Sequence, residues 1–430
     1  MLIYSEKKSN RLSYILDFFF NDLIGIEYEL THNIQEFSVY ENLKLNYSKN
    51  NLGGGVFVYA NDFIYENRIR EFIPDSSLWN NLPALFLSPV EADLPFDVFS
   101  ASFYLISRYE EYLLFKRDNY HRFPARESIA YRKNFLEKPV VNIWAGELFK
   151  IFQTHKPDLK IPDKKTQFIS TIDIDNAFAY KGKGLFRTLG AFAKSIVRLN
   201  MSDFFSRLFT VCGLMHDKYN TYEYIKNIHL KNNINPIFFV LVGNNSRFDR
   251  NVMLHKKIMK KLLVELSSYA EIGIHPSYKS NRNIVLQKQE IAMLSKIIGK
   301  PITKSRQHFL KLSFPETYRK LVVLGITSDY SMGYATHPGF RASVCTPFLF
   351  FDIEMDSVMN LTIYPFVIMD RTLNGYMKMN SDRAIAKILD LMKKVKSADG
   401  IFVNLWHNES LSNKGMWSGW RSVYESMFNN

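Results

Sequence analysis

From residue 166 onward the chain alternates short apolar runs with amphipathic helical patterns, and no other feature constrains its folding as strongly. QFISTIDI, NPIFFVLVG, AEIGIH, LGITSDY, LTIYPFVIMD and GIFVNLWH read as strands. HKKIMKKLLVELSSY, VLQKQEIAMLSKII and DRAIAKILDLMKKVK carry apolar residues at helical spacing. Parallel strands need a crossover and a helix supplies it, so the alternation predicts a largely parallel sheet covered by helices, open or closed into a barrel. In both arrangements chemistry collects at the C-terminal ends of the strands. Most of these runs end at or near an Asp or His.

The 430 residues exceed the usual size of one core, so two domains are expected. The boundary falls in the polar, two-proline stretch THKPDLKIPDKKT, residues 154–166. This gives an N-terminal α/β domain over 1–155 and a second domain over 166–430. In the first, FSVYENL and GGGVFVYAN read as strands. The glycine triplet at 53–55 lacks the Lys-Ser/Thr of a phosphate loop and reads as a tight turn. Within residues 95–116, Phe96, Phe99, Phe103, Ile106, Tyr109 and Tyr112 recur at helical spacing and predict a buried helix face. No chemistry is assigned to this part.

Composition narrows the class. With 47% hydrophobic residues the chain is globular. Cys212 and Cys345 form no framework and read as ordinary thiols of a reducing compartment, with a disulfide between them as the alternative. Asp17 and Asn21 interrupt the N-terminal apolar run that a secretory signal would need, and nowhere do about 18 apolar residues run uncharged. The expected location is cytoplasmic. A net charge of +13 would suit anionic partners, but Lys and Arg are dispersed and no nucleic-acid-binding signature accompanies them. Nucleic acid is therefore not an expected partner. Residues 181–214 stand apart, with Lys181, Lys183, Arg187, Lys194, Arg198 and Arg207 set among Phe and Leu. Such a basic amphipathic stretch either lies on an anionic membrane, peripherally at its inner face, or packs over the second domain as an insertion.

Four short segments carry the candidate chemistry. In Thr171-Ile172-Asp173-Ile174-Asp175-Asn176 two carboxylates leave one strand end, where one can ligate a cation while the other serves as a base. The alternative for either Asp is a helix N-cap. In Glu271-Ile272-Gly273-Ile274-His275-Pro276-Ser277-Tyr278 a His leaves a strand into a fixed turn, as a metal ligand or as a structural imidazole. Ser305-Arg306-Gln307-His308 offers a planar guanidinium for a carboxylate and a second imidazole. Asn404-Leu405-Trp406-His407 ends a strand on a His able to protonate a leaving group near neutrality. Arg341, Trp417, Trp420 and Arg421 are further candidates for sugar or anion contacts, with aromatic core as the alternative for the tryptophans.

The order TIDIDN, EIGIH, SRQHF, LGITSDY and NLWHN resembles the polysaccharide deacetylase family, the carbohydrate esterases of the nodulation-type chitooligosaccharide deacetylase fold. LPFDVFSASFYLISRYEEY and FLEKPVVNIWAGEL are similar to the extra N-terminal domain of a Bacteroidetes-type branch. The resemblance implies a distorted (β/α) barrel preceded by the smaller α/β domain, and a divalent ion, commonly zinc. It implies a hydrolase that removes N-acetyl groups from an amino-sugar glycan or lipid-linked sugar, with Asp173 as base, Arg306 orienting it and His407 as acid. Asp329 would support that acid, Asp175 and His275 would hold the metal, and Tyr278, Arg341 and Trp406 would meet substrate. One departure matters: Lys279 stands where the family has its second metal His, four positions after the first. An ammonium cannot ligate a cation, so His308 is the expected replacement. The competing expectation is an inactive glycan-binding or scaffold relative.

Overall fold

The computed structural model describes residues 1–428 except 161, 163–165 and 245. Part of the expected boundary at 154–166 thus lies outside the described residues. The N-terminal part is built on a four-stranded parallel sheet in the spatial order Glu29–Thr31, Leu2–Ser5, Lys44–Ser48, Val56–Tyr59. FSVYENL is not a strand. Asn33 caps a short helix, Ile34–Val39, by accepting from the backbone N–H groups of Gln35 and Glu36, and the strand begins only at Lys44. The helix expected over 95–116 is shorter: Asp97 caps Val98–Ile106, and the chain turns out of it at Arg108, whose φ is 57°.

The second part is a curled, mainly parallel sheet. Its strands are β1 (Thr171–Ile174), β2 (Ile237–Leu241), β3 (Glu271–His275), β4 (Lys304–Ser305), β5 (Ser328–Asp329), β6 (Ser357–Ile363) and β7 (Ile401–His407). They neighbour one another in the order β6-β5-β4-β3-β2-β1-β7. Helices Tyr222–Lys231, Lys257–Ser267, Ile284–Ile298, Glu316–Val323 and Ser381–Lys396 intervene along the chain, as the alternation predicts. The segment that begins as β6 bridges the curl. Its first half pairs with β5, and its continuation Ile368–Met369 pairs with β7 at Asn404 and Leu405. The two margins of the sheet are thereby drawn together.

The two parts share one apolar core. Phe351, on the strand Phe348–Asp352 that pairs antiparallel with β6, packs 5.1 Å from both Tyr14 and Phe103 of the N-terminal part. A buried ionic cluster ties them again. Arg341 donates to Glu111 at 2.9 and 2.6 Å, and Arg108 donates to Glu111 and Glu110, each at 2.8 Å. Arg341, expected to meet substrate, is spent inside this cluster. Its other donor goes to the Gly333 carbonyl, 3.0 Å away.

Candidate active site

The strand C-terminal ends converge on a cavity of about 330 Å³ lined by Asp173, Asp175, His275, His308, His407 and Glu409, among others. Asp173 lies within β1, facing His407 of β7 in register, and Asp175 follows one residue beyond the strand. His275 is the last residue of β3, and His308 sits three residues past β4.

Asp175, His275 and His308 each present one ligand atom, all within 4.8 Å of one another. His275 Nε2 is 3.2 Å from Asp175 Oδ1, and His308 Nε2 is 3.6 Å from Oδ2. The far side of each imidazole is committed. His275 Nδ1 donates to the Arg306 carbonyl at 2.5 Å, and His308 Nδ1 donates to Asp249 Oδ1 at 2.9 Å. A carbonyl only accepts, so His275 carries its proton on Nδ1 and turns the Nε2 lone pair toward Asp175. Asp175 Oδ1 is buried without a hydrogen-bond partner. A carboxylate with one unsatisfied oxygen, facing two imidazole Nε2 atoms beside an open cavity, is a donor set that fits a divalent cation such as zinc. Burial pushes the Asp175 carboxyl up, but the neighbouring His308 and His275 imidazoles outweigh it and hold it well below the usual range. Burial likewise opposes the charge on His308, yet Asp175 and Asp249 raise it to about 9.

Lys279 is exposed and outside the cavity lining, whereas His308 is buried within it. The position where the resemblance places a second ligand faces solvent. The turn carrying His308 is strained: Phe309 and Leu310, just after it, both take left-handed φ, 59° and 55°. The N-terminal part clamps this turn. Tyr120 stacks on Phe309 at 5.0 Å, and Arg122 donates to the Phe309 carbonyl at 2.9 Å. Both residues also line the cavity.

Asp173 is fixed from below. Arg306 Nη1 donates to its Oδ1 at 2.8 Å and to the Thr171 hydroxyl at 2.7 Å, while Nε donates to the Tyr330 carbonyl at 2.9 Å. The guanidinium lies 4.6 Å over the Phe239 ring. That ring explains Gly273 in EIGIH, since a Cβ there would come within 2.5 Å of it.

His407 is held by an acid that the sequence reading missed. Its Nδ1 donates to Asp370 Oδ1 and its backbone N–H to Oδ2, both at 2.8 Å. Burial disfavours the charged imidazole, but Asp370 foremost, with Asp175 and Asp173, raises it to about 10. Asp329 does not fill this place. It is buried at the end of β5, where Ser305 and Ser331 donate to it at 2.6 and 2.9 Å, and it does not line the cavity. Two further expectations change. Trp406 is fully buried against Trp420 and Tyr424, because alternate residues of β7 face opposite sides of the sheet, and Trp417 lines the cavity instead. Tyr278 stands outside the lining, its ring 4.4 Å from Phe248 and 4.2 Å from the Lys311 ammonium. Asp370 follows the run FVIM and could have been found as one more acid leaving a strand. Asp249, in the loop after β2, carries no such signal.

Residues 1–157 match the model of a family of unknown function, DUF7033. No curated protein matches the chain in sequence. Among solved structures, the chain is similar to a provisionally named polysaccharide deacetylase from Mycobacterium smegmatis, at 14% identity and a TM-score of 0.42 over 63% of this chain and 87% of that one. It is also similar to a polysaccharide deacetylase from Bacillus cereus, at 13% identity and a TM-score of 0.29 over 61% of this chain and 86% of that one.

Proposed function

We propose that this chain is a metal-dependent hydrolase that removes N-acetyl groups from an amino-sugar glycan or glycolipid. The observation that carries the reading is the convergence of Asp175, His275 and His308 within 4.8 Å beside the cavity, with both imidazoles locked through Nδ1. These three residues would hold the ion, which we take to be zinc; when bound it polarises an amide carbonyl and acidifies a water.

The chain's own groups divide the proton work. Asp173, pinned by Arg306, leaves Oδ2 toward His275 Nε2 at 3.9 Å and serves as the base that accepts a proton from water. His407, protonated near neutrality, gives its proton to the departing sugar amine. Amide and water become free amine and acetate. Glu409 lines the same cavity, its carboxyl pushed up by burial against the pull of His407. The division at 154–166 is part of this reading: the C-terminal part supplies the reacting groups, and the N-terminal part supplies Tyr120 and Arg122 to the cavity wall. The inactive alternative leaned on Lys279, which no longer weighs against binding once His308 takes the ligand's place. Elemental analysis of the purified protein is expected to find about one tightly held divalent ion per chain, and N-acetylated glycans are expected to release acetate. Protein that is metal-free after purification and takes up no added zinc would overturn the reading.

A further inference from the structure

Between β1 and β2 the chain forms a helical hairpin, α1 (Leu185–Val197) and α2 (Met201–Val211), that is folded inside out. Its fully buried residues are polar, although Phe192 and Phe204 also meet between the helices at 5.0 Å. Asp203 accepts from Tyr180 at 2.7 Å, from Ser195 at 2.9 Å and from Arg207 at 3.1 Å, and Ser195 and Thr210 are buried. Its outward residues are apolar. Phe186 is 90% exposed, Val197 83% and Leu199 86%, and Met201, Phe205 and Phe209 form an exposed stripe at four-residue spacing along α2. Twelve of the thirty large apolar residues exposed among the described residues fall between Leu185 and Met215, so the exposure belongs to this one structure and not to the surface at large. An apolar face of this extent in water costs free energy that a covering phase recovers.

The charges select the cover. Arg187, Lys194 and Arg198 are exposed on the same hairpin as the apolar face. Basic residues beside exposed Phe and Leu are what an interfacial helix presents to anionic lipid headgroups, its apolar side chains entering the acyl boundary. No described helix is long and apolar enough to cross a membrane, so the contact would be peripheral. We infer that the hairpin is a docking surface for an anionic lipid bilayer. It is tied to the strand end that carries the site: its first helix begins ten residues after Asp175, and Lys183 at its base donates to the side chain of Asn176, the neighbour of Asp175. Docking therefore brings the cavity to the membrane surface. Resting on the hydrolase reading, the substrate class that follows is an amino sugar carried on a lipid.

Flotation of the full chain with vesicles of phosphatidylcholine, with and without phosphatidylglycerol, tests the surface without reference to activity. Co-flotation is expected only with the anionic vesicles, reduced at least tenfold in F186S/F205S and in R187E/R198E, while sedimentation shows the same oligomeric state for all. Failure to float with anionic vesicles, or equal flotation with neutral ones, overturns the proposal. So does a concentration-dependent dimer that F186S/F205S dissociates, since a second copy would then be the cover. Flotation without acetate release would leave the docking surface standing and end the hydrolase reading alone.

Discussion

Asp370 grips His407 at two points, accepting from its backbone N–H and from its ring Nδ1, each at 2.8 Å. The carboxylate both fixes the ring and favours its charged form, so the proton to be donated is retained up to about pH 10. Asp370→Asn removes the charge and keeps the shape. We expect the alkaline limb of the pH–rate profile to move to lower pH and turnover to fall by roughly 10²-fold, within the range of a general acid. A profile unchanged from the parent would remove Asp370 from this role.

The ligand set makes a paired prediction. His308→Ala is expected to lose the bound divalent ion, because two protein ligands do not make a closed grip. Lys279→Ala is expected to keep it, because that side chain is exposed away from the cavity. Metal content by mass spectrometry compares them directly, and retention in both variants would refute His308 as a ligand.

Metal affinity should depend on pH in a definite direction. His308, raised to about 9 in the metal-free protein, is protonated at neutrality, and a cation must displace that proton. Affinity for zinc should therefore rise up to roughly tenfold per pH unit as pH increases toward 9, then level off. Competition with a chromophoric chelator at several pH values measures this. A flat response would mean that His308 binds no metal.

Asp173 is expected to separate chemistry from binding. In Asp173→Asn the Arg306 contact at 2.8 Å is weakened while Asp175, His275 and His308 are untouched. Acetate release should fall by at least about 10²-fold, the lower end for loss of a general base, with metal content unchanged. Surviving turnover would send the base role elsewhere.

The N-terminal part bears on the site through Arg122, which donates to the Phe309 carbonyl at 2.9 Å and braces a turn held in left-handed conformation. Arg122→Ala should let that turn relax and carry His308 with it. A loss of about tenfold in zinc affinity is expected, at the lower end of what supporting contacts contribute to metal sites. Isothermal titration of the chelated protein reads it, and unchanged affinity would limit Arg122 to the cavity wall.

Local patterning determined the strands and helices of the second part, because the period of apolar residues is set by whether backbone hydrogen bonds run along the segment or between segments. It also marked Asp173, Asp175, His275 and His407, since polar residues ending apolar runs leave the core at the same rim. Where the pattern misled, a cap or a buried charge intervened. Asn33 turned FSVYENL into a helix end, and Arg108 cut the aromatic helix short to reach Glu110 and Glu111. Only the tertiary structure decided which acid serves His407, which face of β7 carries Trp406, and that Arg341 is consumed between the two parts. It also revealed that an N-terminal loop braces the turn that carries His308, and that the basic hairpin buries Ser195 and Thr210 while exposing apolar residues. These are relations between residues distant in sequence, set by which surfaces meet when the sheet curls, and no local spacing encodes them.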